Sequence, residues 1–226
     1  MSEGAEGAEG APARDPVAPR RRGRPARRAA GEGPGARERI LASARGEFAE
    51  RGYDKASVRA IARGAGVDAA LVHHYFGTKE QVFAAAVEAA LTPALGVPEL
   101  VGGAAPGEVG ETVVRAFLAL WEDPAARDPV LAILRSAVSN ERAAEVFRTL
   151  VTRHLVSRVA ARLGAEDAEF RVNLAVAQLV GAAVLRYVVK LEPLASEPVE
   201  SVVARLAPVV QLHLTGPVPP GPPGAP

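Results

Sequence analysis

No stretch of this 226-residue chain alternates apolar and polar side chains with a period of two over any length. Apolar residues recur instead every three or four positions, the spacing that lines one face of a helix. A half-buried β-strand needs the period of two, so the pattern predicts an all-α protein.

The helix boundaries are marked by capping chemistry. ARERILASARGEFAERG sets Ile40, Leu41, Ala44 and Phe48 on one face and is expected to stop at Gly52, a residue that tolerates the left-handed C-terminal cap. Ser57 is placed to cap SVRAIARGAG, which ends at Gly64 and Gly66, and Asp68 to cap DAALVHHYF. Thr78 with Gln81 three residues on gives a capping box opening KEQVFAAAVEAAL. A loop is expected from Pro93 to Gly107. Five more amphipathic segments follow at 108–121, 129–139, 141–163, 166–190 and 198–213, which makes about nine helices. Pro129 and Pro198 are expected at first helical positions, where a missing N–H is harmless, and Pro208 to kink or break the last helix.

The ends differ from the middle. Residues 1–35 are rich in Gly, Pro, Ala and Arg and have almost no large apolar side chain, so disorder is predicted there, as for the tail TGPVPPGPPGAP from Thr215 to Pro226. Between them the expected division is a head at 36–82 and a helical body at 83–214. The net charge of +1 hides an uneven layout: RRRGRPARR, Arg20 to Arg28, is strongly basic and suits an anionic partner such as DNA. Its Gly-Arg-Pro core, with Arg22 and Arg24, resembles an AT-hook, a minor-groove reader. A solvated tail that adds only unspecific attraction is the other reading.

Several function classes are disfavoured. The absence of cysteine excludes disulfides, thiolate metal sites and cysteine nucleophiles, and favours an intracellular location. No secretory signal is visible at the acidic N-terminus. The apolar run Val172 to Leu191 contains Asn173, Gln178 and Arg186, so a buried helix is expected there and no membrane span. His73 and His74 are adjacent, hence about 100° apart on a helix, and cannot ligate one ion side by side. No carboxylate pair or serine stands at catalytic spacing, so no metal, cofactor or enzymatic activity is expected.

Three short N-terminal helices, the second and third separated by about three residues with a glycine, have the spacing of a helix-turn-helix. The run Ala36 to Val87, above all SVRAIARGAGVDAALVHHYFGTKEQVFAAAV, resembles the DNA-binding domain of the TetR family of bacterial transcriptional regulators. The resemblance implies that Ser57 and Arg59 meet phosphates. Ala69, Ala70, Leu71, His73 and His74 would face the major groove, with Tyr75 near the backbone and Thr78 and Lys79 at a phosphate on the fourth helix. Val58, Ile61, Ala62, Val67, Val72 and Phe76 would be core. Ala69-Ala70 departs from the polar groups that relatives carry early in this helix. Methyl groups touch a thymine methyl but read no hydrogen-bond donors, so direct base readout should be sparse.

So small a head needs a partner, and half-sites about 34 Å apart predict a pair reading an inverted repeat of double-stranded DNA. The segments 166–190 and 198–213 are expected to form a homodimer through a four-helix bundle, with Gly181-Ala182-Ala183 permitting close approach. The remaining helices, 108–163, are candidates to enclose a small-molecule effector. Phe117, Trp121, Phe147, Gln178 and Tyr187 are candidate lining residues, and Arg135, Asn140, His154 and Arg186 candidate polar anchors. The overall expectation is a cytoplasmic, nucleoid-associated homodimeric repressor released from its operator by an effector. The alternative is a constitutive or architectural DNA-binding protein, or an activator, without a ligand.

Overall fold

The structure is a computed structural model that describes residues 35–165 and 167–217. The expectations for the arm, including Arg22 and Arg24, and for the tail beyond 217 lie outside those residues. Among the described residues the chain is helical and has no strand. The head holds α1 (Ala36–Lys55), α2 (Val58–Ala65), α3 (Ala69–Phe76) and α4 (Lys79–Leu91). The body holds α5 (Val97–Gly103), α6 (Val109–Glu122), α7 (Pro124–Ser139), α8 (Glu141–Val151), α9 (Ser157–Leu163), α10 (Ala168–Ala183) and α11 (Val199–Thr215). A π-helical stretch, Thr152–Val156, joins α8 to α9 into one rod, and a second, Val184–Val189, extends α10.

The local signals place the caps. Ser57 accepts the Ala60 N–H at 3.1 Å, Asp68 the Ala70 N–H at 2.7 Å, and Thr78 with Gln81 closes the reciprocal box opening α4. Each such cap contributes about 1 kcal/mol. The expected stop at Gly52 is present as a non-helical residue, φ 71° and ψ 176°, beyond which a further short helical stretch runs to Lys55 under the same label. Two expectations are corrected: the loop at 93–107 contains α5, and α7 begins at Pro124 behind the Asp123 cap, so Pro129 lies inside it. Of the kink or break expected at Pro208, the break does not occur: α11 carries Pro208 inside it and runs on to include Thr215.

Two apolar clusters form the interior. In the first, Ile40, Phe48, Ile61, Val72, Phe76, Phe83 and Val87 of the head pack together with Ile133 of α7 and Ala143 and Leu150 of α8. Phe83 meets Phe48 and Tyr53 edge-on at 5.0 and 5.1 Å, an arrangement that aligns ring edges with ring faces. The second joins α5, α6, α9, α10 and α11 around Val114, Leu118, Val172, Leu179 and Val210. Within it α6 and α11 approach closely at Gly110. A Cβ on Gly110 would stand 2.4 Å from the Ala207 carbonyl oxygen, and its N–H donates to Gln211 Oε1 at 2.6 Å.

Two helical stretches are long and apolar enough to cross a membrane by length and composition, Lys79–Gly103 and Ala168–Val189. The first carries α4, whose inner face is in the head's core. The second departs from the expectation of a buried helix. It buries Arg171, Val172, Ala175, Leu179 and Ala183 along one face only, while Leu174, Leu185, Val188 and Val189 are exposed. Arg171 is buried beside the C-terminus of α11, where its guanidinium donates to the Gly216 carbonyl at 2.7 Å and pairs with Asp167. It thereby satisfies a carbonyl at the α11 end that the helix cannot.

Candidate nucleic-acid interface

The turn between α2 and α3 is three residues, Gly66 to Asp68, and its sharpness depends on Gly66 in the left-handed conformation, φ 65° and ψ 38°. The Gly66 N–H bonds back to the Arg63 carbonyl at 3.1 Å and that of Val67 to the Ala62 carbonyl at 3.0 Å, which closes the end of α2. The hydroxyl of Ser43 on α1 donates to the Ile61 carbonyl at 2.8 Å. A Cβ at Gly64 would lie 2.3 Å from that hydroxyl, so the glycine lets α2 settle on α1.

With α2 fixed, α3 has a definite inner and outer side. Val72 and Phe76, four apart, are buried, and Ala69 packs partly against the same core. Of the residues expected in the groove, Ala70, His73 and His74 form the outer strip, Leu71 is half-buried at its margin, and Ala69 turns inward. Tyr75 is 43% exposed, with its ring edge-on to His74 at 5.4 Å. His73 Nδ1 lies 2.7 Å from the Gly77 carbonyl. A carbonyl only accepts, so Nδ1 carries the proton, and in the neutral ring Nε2 is left facing outward as an acceptor.

The two flanking helix starts are exposed on the same head. Ser57 opens α2 with its hydroxyl engaged in the cap, and Arg59 stands exposed within the first turn. Thr78 is likewise engaged by its capping box, so both hydroxyls order the helix ends that present free N–H groups to an anion. Lys79 is partly sequestered: its ammonium sits 4.7 Å above the Tyr53 ring and donates to the Asp54 carbonyl at 3.0 Å. This leaves two of its three donors for a phosphate. Asp54 is held in turn by Asn140 Nδ2 at 2.7 Å, while the Asn140 side-chain oxygen caps α8 at the Ala143 N–H. Nothing local in the sequence signals this tie, because 86 residues separate its partners.

The candidate effector residues are not brought to one place. Phe117 borders a cavity of about 90 Å³ whose other walls include Val113, Leu155, Val172, Val176 and Leu179. Trp121 is 1% exposed and stacks at 5.8 Å on Tyr187, and its indole N–H is buried without a partner. The Tyr187 hydroxyl donates to Glu122, and burial followed by that bond raises the phenol above its ordinary value. Arg186 is nearly buried beneath, donating to the Leu194 carbonyl at 2.5 Å. Gln178 lines an open groove between α10 and α11, Arg135 borders a recess with Arg45 and Asp128, and Phe147 packs against the first cluster. His154 faces a cleft between head and body. Among the described residues no group of three or more His, Cys, Asp or Glu side chains could hold a metal ion.

The comparisons bear on both halves. Residues 40–86 match the family model described as bacterial regulatory proteins, tetR family, and residues 107–214 match that of the tetracyclin repressor-like C-terminal domain. A TetR-family regulator from Streptomyces coelicolor A3 is 38% identical, with a TM-score of 0.61 over 82% of this chain and 99% of that one. A transcriptional regulator from Rhodococcus sp. Rha1 is 27% identical, with a TM-score of 0.56 over 82% and 100%. The fatty acid degradation regulator FadR from Bacillus halodurans, 20% identical at a TM-score of 0.56 over 80% and 99%, shares the fold. No curated protein matches the chain. A helix-turn-helix head with an exposed third helix, a helical body and these two family matches together place the chain in the TetR family, whose members are DNA-binding transcriptional regulators and not enzymes.

Proposed function

We propose that the chain acts in the cytoplasm as a homodimeric repressor that grips an inverted-repeat operator with two heads and leaves it when a small molecule enters the body. The observation that carries the DNA reading is the two-sidedness of α3: Val72 and Phe76 anchor it, while Ala70, His73, His74 and Tyr75 stand outward. An outward His73 Nε2 that only accepts suits the amino group of adenine or cytosine in the major groove. The starts of α2 and α4, with Arg59 and Lys79, would hold the phosphates on either side, and the Arg22 and Arg24 region of the arm would add charge.

Pairing is supported by the uncovered side of α10 and its π extension. Leu185 and Val188 are 40% and 48% exposed, and Leu212 of α11 is 58% exposed. An exposed apolar face of this extent on a regulator marks an interaction surface. A second copy related by a two-fold axis would cover it with the same residues.

The effector reading rests on the all-apolar cavity beside Phe117, which would take an apolar molecule. In this mechanism the ligand binds better to a spacing of the heads that DNA rejects, and the coupling is reciprocal. The size of that cavity, about 90 Å³, favours a second reading, a constitutive DNA-binding protein with no effector, because small-molecule sites usually begin at about 300 Å³. Selection of bound sequences from random duplexes tests the first part, and an inverted repeat with matching halves is the expected outcome. A thermal-shift screen separates the two readings: a compound that stabilises the chain and weakens its hold on the selected duplex supports the repressor. Uniform silence supports the second.

A further inference from the structure

Asn140 stands at the junction of α7 and α8, and its side chain serves two partners at once. Its oxygen accepts the Ala143 N–H at 2.9 Å and so caps α8. That fixes the amide nitrogen as a donor, and it reaches Asp54 Oδ1 at 2.7 Å. Serine would cap as well, but it has no second arm for Asp54, and an aspartate there would have no donor at all. Asp54 lies past the non-helical Gly52, in the short stretch that ends α1 at Lys55. Carbonyls in the last turn of a helix have no partner within it, and the Lys79 ammonium supplies one to Asp54 at 3.0 Å. The ammonium also rests 4.7 Å above the ring of Tyr53, which is buried and meets Phe83 edge-on at 5.1 Å. A residue of the body thus holds the segment that holds a lysine of the head.

We propose that Asn140 is a positioning residue for DNA binding: through Asp54 it keeps Lys79 fixed at the start of α4, with the remaining ammonium donors free for a phosphate. The inference rests on the reading that Lys79 meets a phosphate. A lysine side chain is among the costliest to immobilise, and one already held in the free protein surrenders less freedom when DNA arrives. Asp54 is exposed, and the Asn140 bond ties it to the body. The neighbouring ion pair does not replace that tie, because Arg142 of α8 comes no nearer to Glu80 of α4 than 4.0 Å and both side chains are open to solvent. The junction of α7 and α8 therefore has a hold on a DNA contact, and displacing it from the end of α1 would release Lys79.

The test uses the full chain and the duplex obtained by selection, with affinity measured over a series of salt concentrations. Lys79→Met keeps an apolar stem over Tyr53 and removes the charge. It is expected to lower the slope of log affinity against log salt by about 0.9, the value for one phosphate. Asn140→Ser keeps an oxygen to cap α8 without the arm that reaches Asp54. It is expected to weaken binding about two- to tenfold, the range for freeing one long side chain, and to lower the slope by an amount similar to that of Lys79→Met. In the Lys79→Met background the same change should do nothing further, since both act on one contact. A role confined to capping α8 would lower stability and leave the slope alone. The failures are distinct. If no duplex is selected, or Lys79→Met leaves the slope unchanged, the DNA reading of Lys79 falls and takes the inference with it. If Lys79→Met lowers the slope while Asn140→Ser does not, if the two losses add in full, or if Asn140→Ser tightens binding, the inference alone is overturned.

Discussion

At Gly110 the absence of a side chain sets the distance between two helices. Its hydrogen atom allows the α6 backbone to rest against Ala207 and Gln211 of α11, where any Cβ would lie within 2.7 Å of three atoms, two of them backbone. Gly110→Ala is therefore expected to push α6 and α11 apart and to cost about 1–3 kcal/mol, the usual range for overpacking, as measured by urea denaturation. Tyr187 makes a different kind of prediction. Its phenol is raised above the ordinary 10.0 by burial and by the bond to Glu122, so the folded chain holds that proton more tightly than the unfolded one. The associated stability is fully present below pH 10 and is lost as pH rises through the folded value. Tyr187→Phe should be less stable near neutrality by about 1 kcal/mol and decline less steeply in alkali, which denaturation at a series of pH values would show.

Among the elements, α3 carries the sharpest expectation. His74 lies on the outer strip and takes no part in the core, so His74→Ala should keep the melting temperature within about a degree or two of the parent. It should weaken binding to the selected duplex by about 1–3 kcal/mol, read by fluorescence anisotropy against a scrambled competitor. The elements also divide by how far their causes lie along the chain. Caps act over two or three residues, and Ser57, Asp68, Thr78 and Gln81 were all legible for that reason. The start of α7 is ambiguous in the sequence because Asp123-Pro124 and Asp128-Pro129 carry the same local signature, and the structure uses the first. The family resemblance implies Val72 and Phe76 as inner residues of α3, but not the inward turn of Ala69, since a methyl group is compatible with either side. The engagement of Lys79 with Tyr53 and Asp54, and of Asn140 with Asp54, depends on which helices meet, information that no window of sequence contains. The effector candidates scattered for the same reason: aromatic and charged residues at helical spacing are equally suited to core, groove and cleft.

For the whole molecule, the proposed pairing and the proposed grip on DNA are linked. Leu185→Glu places a charge on the uncovered side of the π extension of α10, away from the folded core, and is expected to yield monomers in sedimentation runs with unchanged helical circular dichroism. One head then keeps half of the contacts, and affinity for the inverted repeat should fall by at least about a hundredfold. The arm is tested separately. Deleting residues 1–28 should flatten the plot of log affinity against log salt by about 0.9 for each phosphate released, and an unchanged slope would exclude the arm from the interface. The shared first cluster has a practical consequence for protein engineering. Because Ile133, Ala143 and Leu150 complete the interior that Phe48 and Phe83 begin, a chimera cut after α4 would arrive on a foreign scaffold with its underside unlined. Swaps between relatives should travel with α7 and α8 included, and the seam for such grafts lies within the middle of the chain.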